Sequence, residues 1–149
     1  MFGDLHDLYQ EVILDHSRSP RNFRVLPDGN RTAEGLNPLC GDQVKVYVNL
    51  EGEVIKDISF QGSGCAISKA SASIMTTLLK GKTRDEARQM FEQFHTLIQT
   101  GEQPDGELGK LSVFAGVHKF PARVKCAILA WHAVIAALGD RNHEVVSTE

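Results

Sequence analysis

The chain is short of cysteine: three in 149 residues, an odd number, so no closed set of disulfides can staple it. It has no Cys-x-x-Cys pair, so it lacks the local signature of a zinc ribbon or a thioredoxin-like redox centre. It has no excess of basic residues. A net charge of −3 gives no field that would draw nucleic acid or an anionic membrane, so neither is expected as a partner. It shows no long hydrophobic run; the apolar stretch near Val134 to Leu138 is expected to be too short to cross a bilayer. The opening Met1-Phe2-Gly3-Asp4-Leu5-His6-Asp7 has neither the basic start nor the apolar run of a secretory signal, so a cytoplasmic location is expected. In a reducing compartment thiols stay free, which points the three cysteines toward metal binding or chemistry.

The remaining composition, 42% hydrophobic and 23% charged, is that of an ordinary globular protein. The length suggests one domain over 1–149, with a polar tail from about residue 140 that is expected to fray. A chain of this size buries about 70% of its unfolded surface, so its core needs no staples.

Periodicity orders the elements. Leu5, Leu8, Tyr9, Val12 and Ile13 form one stripe of a helix over 4–16, and His16 to Asn22 reads as a loop. Arg31 to Gly35 is a short candidate strand. Val44, Val46, Val48 and Leu50 alternate with polar residues, and Val54, Ile58 and Phe60 continue after Glu51-Gly52, which predicts an antiparallel hairpin. Cys65 opens a small-residue helix that Gly81 ends. Thr83-Arg84-Asp85-Glu86 matches a capping box for the next helix, with Ala87, Met90, Phe91, Phe94 and Leu97 on its apolar face. A short helix around Leu108 to Phe114 and a last helix from Phe120-Pro121 to Leu138 complete the chain. Strands and helices are segregated, so the expected class is α+β rather than a wound βαβ sheet.

Cys40, Cys65 and Cys126 all fall at element ends, where loops gather into sites. With Asp42, two residues beyond Cys40, they make four donors, the number a tetrahedral zinc ion takes. Cys65 at a helix N-terminus faces the positive end of the helix dipole, which favours a thiolate. Arg123 and Lys125 flank Cys126 and would offset the −2 charge of zinc with three thiolates and one carboxylate. Other readings stay open at this point. A lone cysteine is most often a small buried hydrophobe, Cys126 above all, and Asp42 suits a cap or a lysine partner equally well. The six histidines form no ligand spacing and read as surface or packing residues, with His118 nearest the candidate site. Gly62-Ser63-Gly64 before a helix lacks the lysine and length of a phosphate-binding P-loop.

Three ordered motifs carry a resemblance: Asn37-Pro38-Leu39-Cys40-Gly41-Asp42, Gly62-Ser63-Gly64-Cys65 through Ser73, and Phe120-Pro121-Ala122-Arg123-Val124-Lys125-Cys126-Ala127. Together with Leu8-Tyr9, Asp15-His16 and Pro20-Arg21-Asn22 they resemble the IscU/NifU-like iron–sulfur assembly proteins over nearly the whole chain, and within them the SufU branch. Scaffold-type members carry a histidine directly before the third cysteine, where this chain has Lys125. They also carry a Leu-Pro-Pro-Val-Lys chaperone-docking motif, where this chain has Phe120 to Lys125. The segment from Asp105 to Lys119 looks like the additional SufU segment. The resemblance implies a small three-stranded antiparallel sheet packed against helices and a zinc-dependent sulfurtransferase. It implies zinc on Cys40, Asp42, Cys65 and Cys126, with Cys40 as the sulfur acceptor and Arg123 steering its thiolate once a partner histidine replaces Cys40 on the metal. The implied partners are the pyridoxal-phosphate cysteine desulfurase SufS and downstream Suf cluster-assembly proteins. The alternative is a scaffold on which iron, as a [2Fe–2S] cluster, assembles on the same ligands.

Overall fold

The computed structural model describes residues 2–102, 108–139 and 144–148, with side chains from residue 10 onward. The elements run α1 (Phe2–Arg18), β1 (Arg31–Asn37), β2 (Asp42–Glu51), β3 (Val54–Ser63), α2 (Ala66–Leu79), α3 (Arg84–Thr100), a 3-10 helix (Gly109–Lys119), α4 (Pro121–Leu138) and β4 (Val145–Ser147). The α+β class holds. The sheet has four strands, not three, in the order β3-β2-β1-β4, and it is mixed: β4 joins the edge of β1 in parallel.

The hairpin β2–β3 is antiparallel, as its period-two pattern requires, and β1–β2 forms a second one. Val44, Val46, Val48 and Leu50 turn inward with Ala33, Ile55, Ile58 and Phe60. On that face lies α4, whose Ala127, Ala130 and Ala133 are buried small residues of the kind that let a helix seat closely on strands. Helix α2 packs beside α4 and against α1. Phe94 of α3 meets Trp131 of α4 and Phe114 of the 3-10 helix at ring-centroid distances of 5.2 and 5.7 Å, closing the core's far side.

Several boundaries differ from the sequence expectation. Helix α1 runs on to Arg18, because His16 is not a loop residue but a buried one, its Nδ1 2.7 Å from the Ser73 hydroxyl of α2. β1 extends to Asn37. The segment after Leu108 is a 3-10 helix that continues to Lys119. The polar tail was expected to fray, yet Val145 to Ser147 pair with β1, with Val146 buried; Asp140 to His143 and Glu149 lie outside the described residues, as do Asp105 to Glu107 of the additional segment. α4 also corrects the expectation about apolar runs. Its 18 residues are long and apolar enough to cross a bilayer by length and composition, but 61% of it is buried inside this fold, as suits a core helix.

Candidate metal and thiol site

The β1–β2 turn places the first two donors. Asn37 stands opposite Asp42 in the ladder, so residues 38–41 form a four-residue loop between the strands. The Asn37 carbonyl accepts from the backbone N–H of Cys40 (3.2 Å) and of Gly41 (2.8 Å), which folds the loop tightly. Gly41 sits at φ +73°, in the left-handed region that side chains disfavour, and a Cβ there would meet nothing within 4 Å. The turn leaves Cys40 exposed and returns Asp42 to the interior, where it is buried.

Cys65 caps α2. Its sulfur accepts from the Ser68 N–H at 3.4 Å, and its own N–H donates to Asp42 Oδ1 at 2.9 Å. That bond needs close approach: a Cβ on Gly64 would overlap Asp42 Oδ1. Cys126 comes from the second turn of α4. It is buried, and its thiol reaches back to the Ala122 carbonyl at 3.5 Å.

Ligand atoms of Cys40, Asp42 and Cys126 lie within 4.8 Å of one another. Cys65 Sγ lies 4.0 Å from Asp42 Oδ2, so the fourth expected donor borders the same carboxylate. The cluster is rich in acceptors and poor in donors. The Asn37 amide reaches Asp42 Oδ2 at a long 3.4 Å. The same amide lies 3.5 Å from Cys126 Sγ, and its own Oδ1, buried, has no hydrogen-bond partner. Burial first, then the Asp42 carboxylate and the other two thiols, push the Cys126 thiol far above its ordinary range. Three sulfurs and a carboxylate crowded together resist ionisation unless a cation joins them. Thiolate and carboxylate donors around a half-open position fit a thiophilic metal ion.

The two flanking cations part company. The Arg123 guanidinium is turned toward the thiols: Cys126 first, then Cys65 and Cys40, hold its proton more tightly than usual. Lys125, expected to share that work, lines a groove with His95, His118 and His132 instead. His118 belongs to that groove too, its Nδ1 2.7 Å from the Ala115 carbonyl, and it is not part of the thiol cluster. Asn37 is the residue that sequence reasoning passed over. The signal was present: it is the turn's other end, five residues before Asp42 and paired with it.

Known proteins can now be set beside this geometry. Residues 8–141 match the NifU-like N terminal domain family. The chain is 43% identical over 133 residues to the zinc-dependent sulfurtransferase SufU of Bacillus subtilis (strain 168), covering 89% of this chain and 90% of that protein. It is 42% identical over 135 residues to the iron-sulfur cluster assembly scaffold protein IscU of Streptococcus pyogenes serotype M1, covering 90% and 84%. Among solved structures, a putative iron-sulfur cluster assembly scaffold protein for the SUF system from Fervidobacterium islandicum AW-1 superposes with a TM-score of 0.83 at 35% identity, covering 90% of this chain and 98% of that one. With fold, cysteine motifs and family match in agreement over nearly its whole length, the chain belongs to the NifU-like N-terminal domain family of iron–sulfur cluster assembly proteins.

Proposed function

We propose that the protein is a zinc-dependent persulfide acceptor and carrier that takes sulfur from a cysteine desulfurase of the SufS type and passes it to Suf cluster-assembly proteins. The observation that carries this reading is the asymmetry of the donor set. Asp42 and Cys126 are buried and tied down, whereas Cys40 is exposed on a four-residue turn beside a left-handed glycine. One donor can leave while the others stay.

Zinc bound by Cys40, Asp42, Cys65 and Cys126 supplies a positive charge that keeps thiols ionised without redox chemistry of its own. The rest is done by the chain. Asp42 is held by the Cys65 N–H and stays in place. Arg123 offers the freed Cys40 sulfur a cation and keeps it a thiolate. That thiolate attacks the terminal sulfur of the donor's cysteine persulfide. A new S–S bond forms on Cys40, the donor's S–S bond breaks, and the donor cysteine leaves as a thiolate, so no external oxidant or reductant is needed. Family likeness and the sulfurtransferase name of the B. subtilis relative support the same reading.

The second reading is a scaffold for a [2Fe–2S] cluster, favoured by the scaffold names of the S. pyogenes and F. islandicum relatives. Thiolates suit clusters as well as zinc. Two experiments separate them. In the first, desulfurase turnover of cysteine is measured with this protein, without it, and with Cys40→Ser. Stimulation that needs Cys40 supports the carrier. In the second, anaerobic reconstitution is run on the zinc-loaded protein. A stable cluster that displaces the zinc and transfers to an apo-acceptor supports the scaffold and overturns the carrier.

A further inference from the structure

Asn37 is buried at the thiol site, yet neither the donor set nor the sulfur chemistry uses its side chain. Its place follows from the chain. Pro38 behind it confines Asn37 to extended backbone. It is the last residue of β1 and stands directly opposite Asp42 of β2 in the ladder. Side chains directly opposite in an antiparallel pair share one face and lie side by side. Helix α4 packs on β1 and β2, so the Asn37 side chain is enclosed between Asp42 and Cys126 and fully buried.

The two ends of Asn37 do different work. Its backbone carbonyl accepts from the N–H groups of Cys40 and Gly41 and closes the turn that carries the exposed thiol. Its side-chain nitrogen, Nδ2, lies 3.4 Å from Asp42 Oδ2 and 3.5 Å from Cys126 Sγ. One amide NH2 has two hydrogens, one for each acceptor. The other carboxylate oxygen, Asp42 Oδ1, is held by the Cys65 N–H. Turned the other way, the amide would set its oxygen against a carboxylate and a sulfur that are both anions when they ligate a metal. The chosen orientation leaves Oδ1 of Asn37 buried without a hydrogen-bond partner. Such an orphan destabilises a fold, and an apolar side chain of the same branching would not carry it. The compensation comes in the state where both acceptors are charged, because hydrogen bonds to charged groups are the stronger ones.

We infer that Asn37 is a positioning residue for the two fixed donors: its amide holds Asp42 and Cys126 on the metal while Cys40 is away. This role rests on the carrier reading, in which Cys40 leaves and the other donors stay. With Cys40 in place, four donors share the ion. Once it leaves, three remain, and Asn37 bridges two of them. The amide therefore matters most when Cys40 is absent.

The test places Asn37→Leu, which keeps the side-chain branching and removes the donors, in two backgrounds: the parent chain and Cys40→Ala. Zinc affinity is measured by chelator competition, with no desulfurase present, so a failure of sulfur transfer is not confused with a failure here. Asn37→Leu is expected to weaken zinc about tenfold in the parent and about a hundredfold in Cys40→Ala, the range seen when a ligand's outer partner is lost. Metal-free Asn37→Leu is expected to melt within about 5 °C of the metal-free parent, since the turn keeps its backbone bonds and the orphaned oxygen is gone. A residue that only built the turn would lower that melting temperature further and weaken zinc equally in both backgrounds. Unchanged zinc affinity, an equal loss in the two backgrounds, or a larger drop in metal-free melting each overturns the inference. Complete loss of zinc from Cys40→Ala with Asn37 intact overturns instead the division of donors beneath it, and the inference with it. The unsubstituted chain gives a reading that no variant's folding can disturb. Zinc loading is expected to move the Asn37 side-chain NH2 proton signals downfield in NMR and to slow their exchange; no change in either overturns the role.

Discussion

Two glycines near the thiols do different work, and substitution separates them. At Gly64 there is no room: an added Cβ would overlap Asp42 Oδ1 and push the carboxylate off the Cys65 N–H. Gly64→Ala is therefore expected to weaken zinc retention by about 10–100-fold, the usual loss when a ligand's supporting contact goes. At Gly41 there is room but the wrong backbone: φ is +73° with nothing within 4 Å. Gly41→Val places a β-branched side chain in the left-handed region at a cost of about 1–3 kcal/mol, without touching a donor. It should slow sulfur transfer more than it loosens the metal. A chelator competition on both variants, beside their transfer rates, checks the contrast; equal metal loss in the two would contradict it. His16 gives a prediction about pH. Its ring is buried, Nδ1 meets the Ser73 hydroxyl, and Nε2 has no partner. Burial above all lowers its pKa from the ordinary 6.5. The neutral form is the folded one, so stability is intact above about pH 6.5 and falls as pH drops below it, where the unfolded chain takes up a proton that the folded chain resists. Urea midpoints measured from about pH 7.5 to about pH 5.5 should fall more steeply for the parent protein than for His16→Gln.

Among the elements, α4 carries the most: Arg123 and Cys126 at one end and the core along its length. Its C-terminal carbonyls are held from outside the helix. Arg31 Nη1 of β1 donates to the carbonyls of Ala137 (2.9 Å) and Gly139 (3.0 Å). Arg84 Nη1 donates to the Leu138 carbonyl at 2.9 Å, while its Nε and Nη2 grip the Glu53 carboxylate. Cations at a helix C-terminus satisfy carbonyls that have no partner within the helix and complement the dipole. Arg84→Ala should cost about 1–3 kcal/mol of stability by thermal or urea unfolding, with zinc affinity unchanged because the thiols sit at the other end. The elements also show what a sequence reveals. The capping box Thr83 to Glu86 was legible because every part of it lies within four residues, and it forms as read. The hairpin β2–β3 was legible from its alternation. β4 was not: one buried valine in a polar tail carries no periodic signal, and the strand exists only because β1 offers an open edge. Likewise the cysteines were visible as candidates, but their meeting depends on α4 lying across the β1–β2 turn. Lys125 went astray because sequence adjacency to Cys126 says nothing about which side of α4 a side chain takes.

At the scale of the whole molecule, the sheet and α4 hold Asp42 and Cys126 rigidly while one tight turn presents Cys40 to solvent. The account stands on that division between fixed donors and one removable thiol. Asp42 and Cys126 are buried in the folded chain, and Cys40 is exposed. The direct measurement is to incubate the zinc-loaded protein with a SufS-type desulfurase and cysteine, trap the product by alkylation, and map the added sulfur by peptide mass. The account predicts one extra sulfur atom on Cys40, absent from Cys65 and Cys126 and abolished in Cys40→Ser. Sulfur found on Cys126 or Cys65, or full transfer by Cys40→Ser, would contradict it.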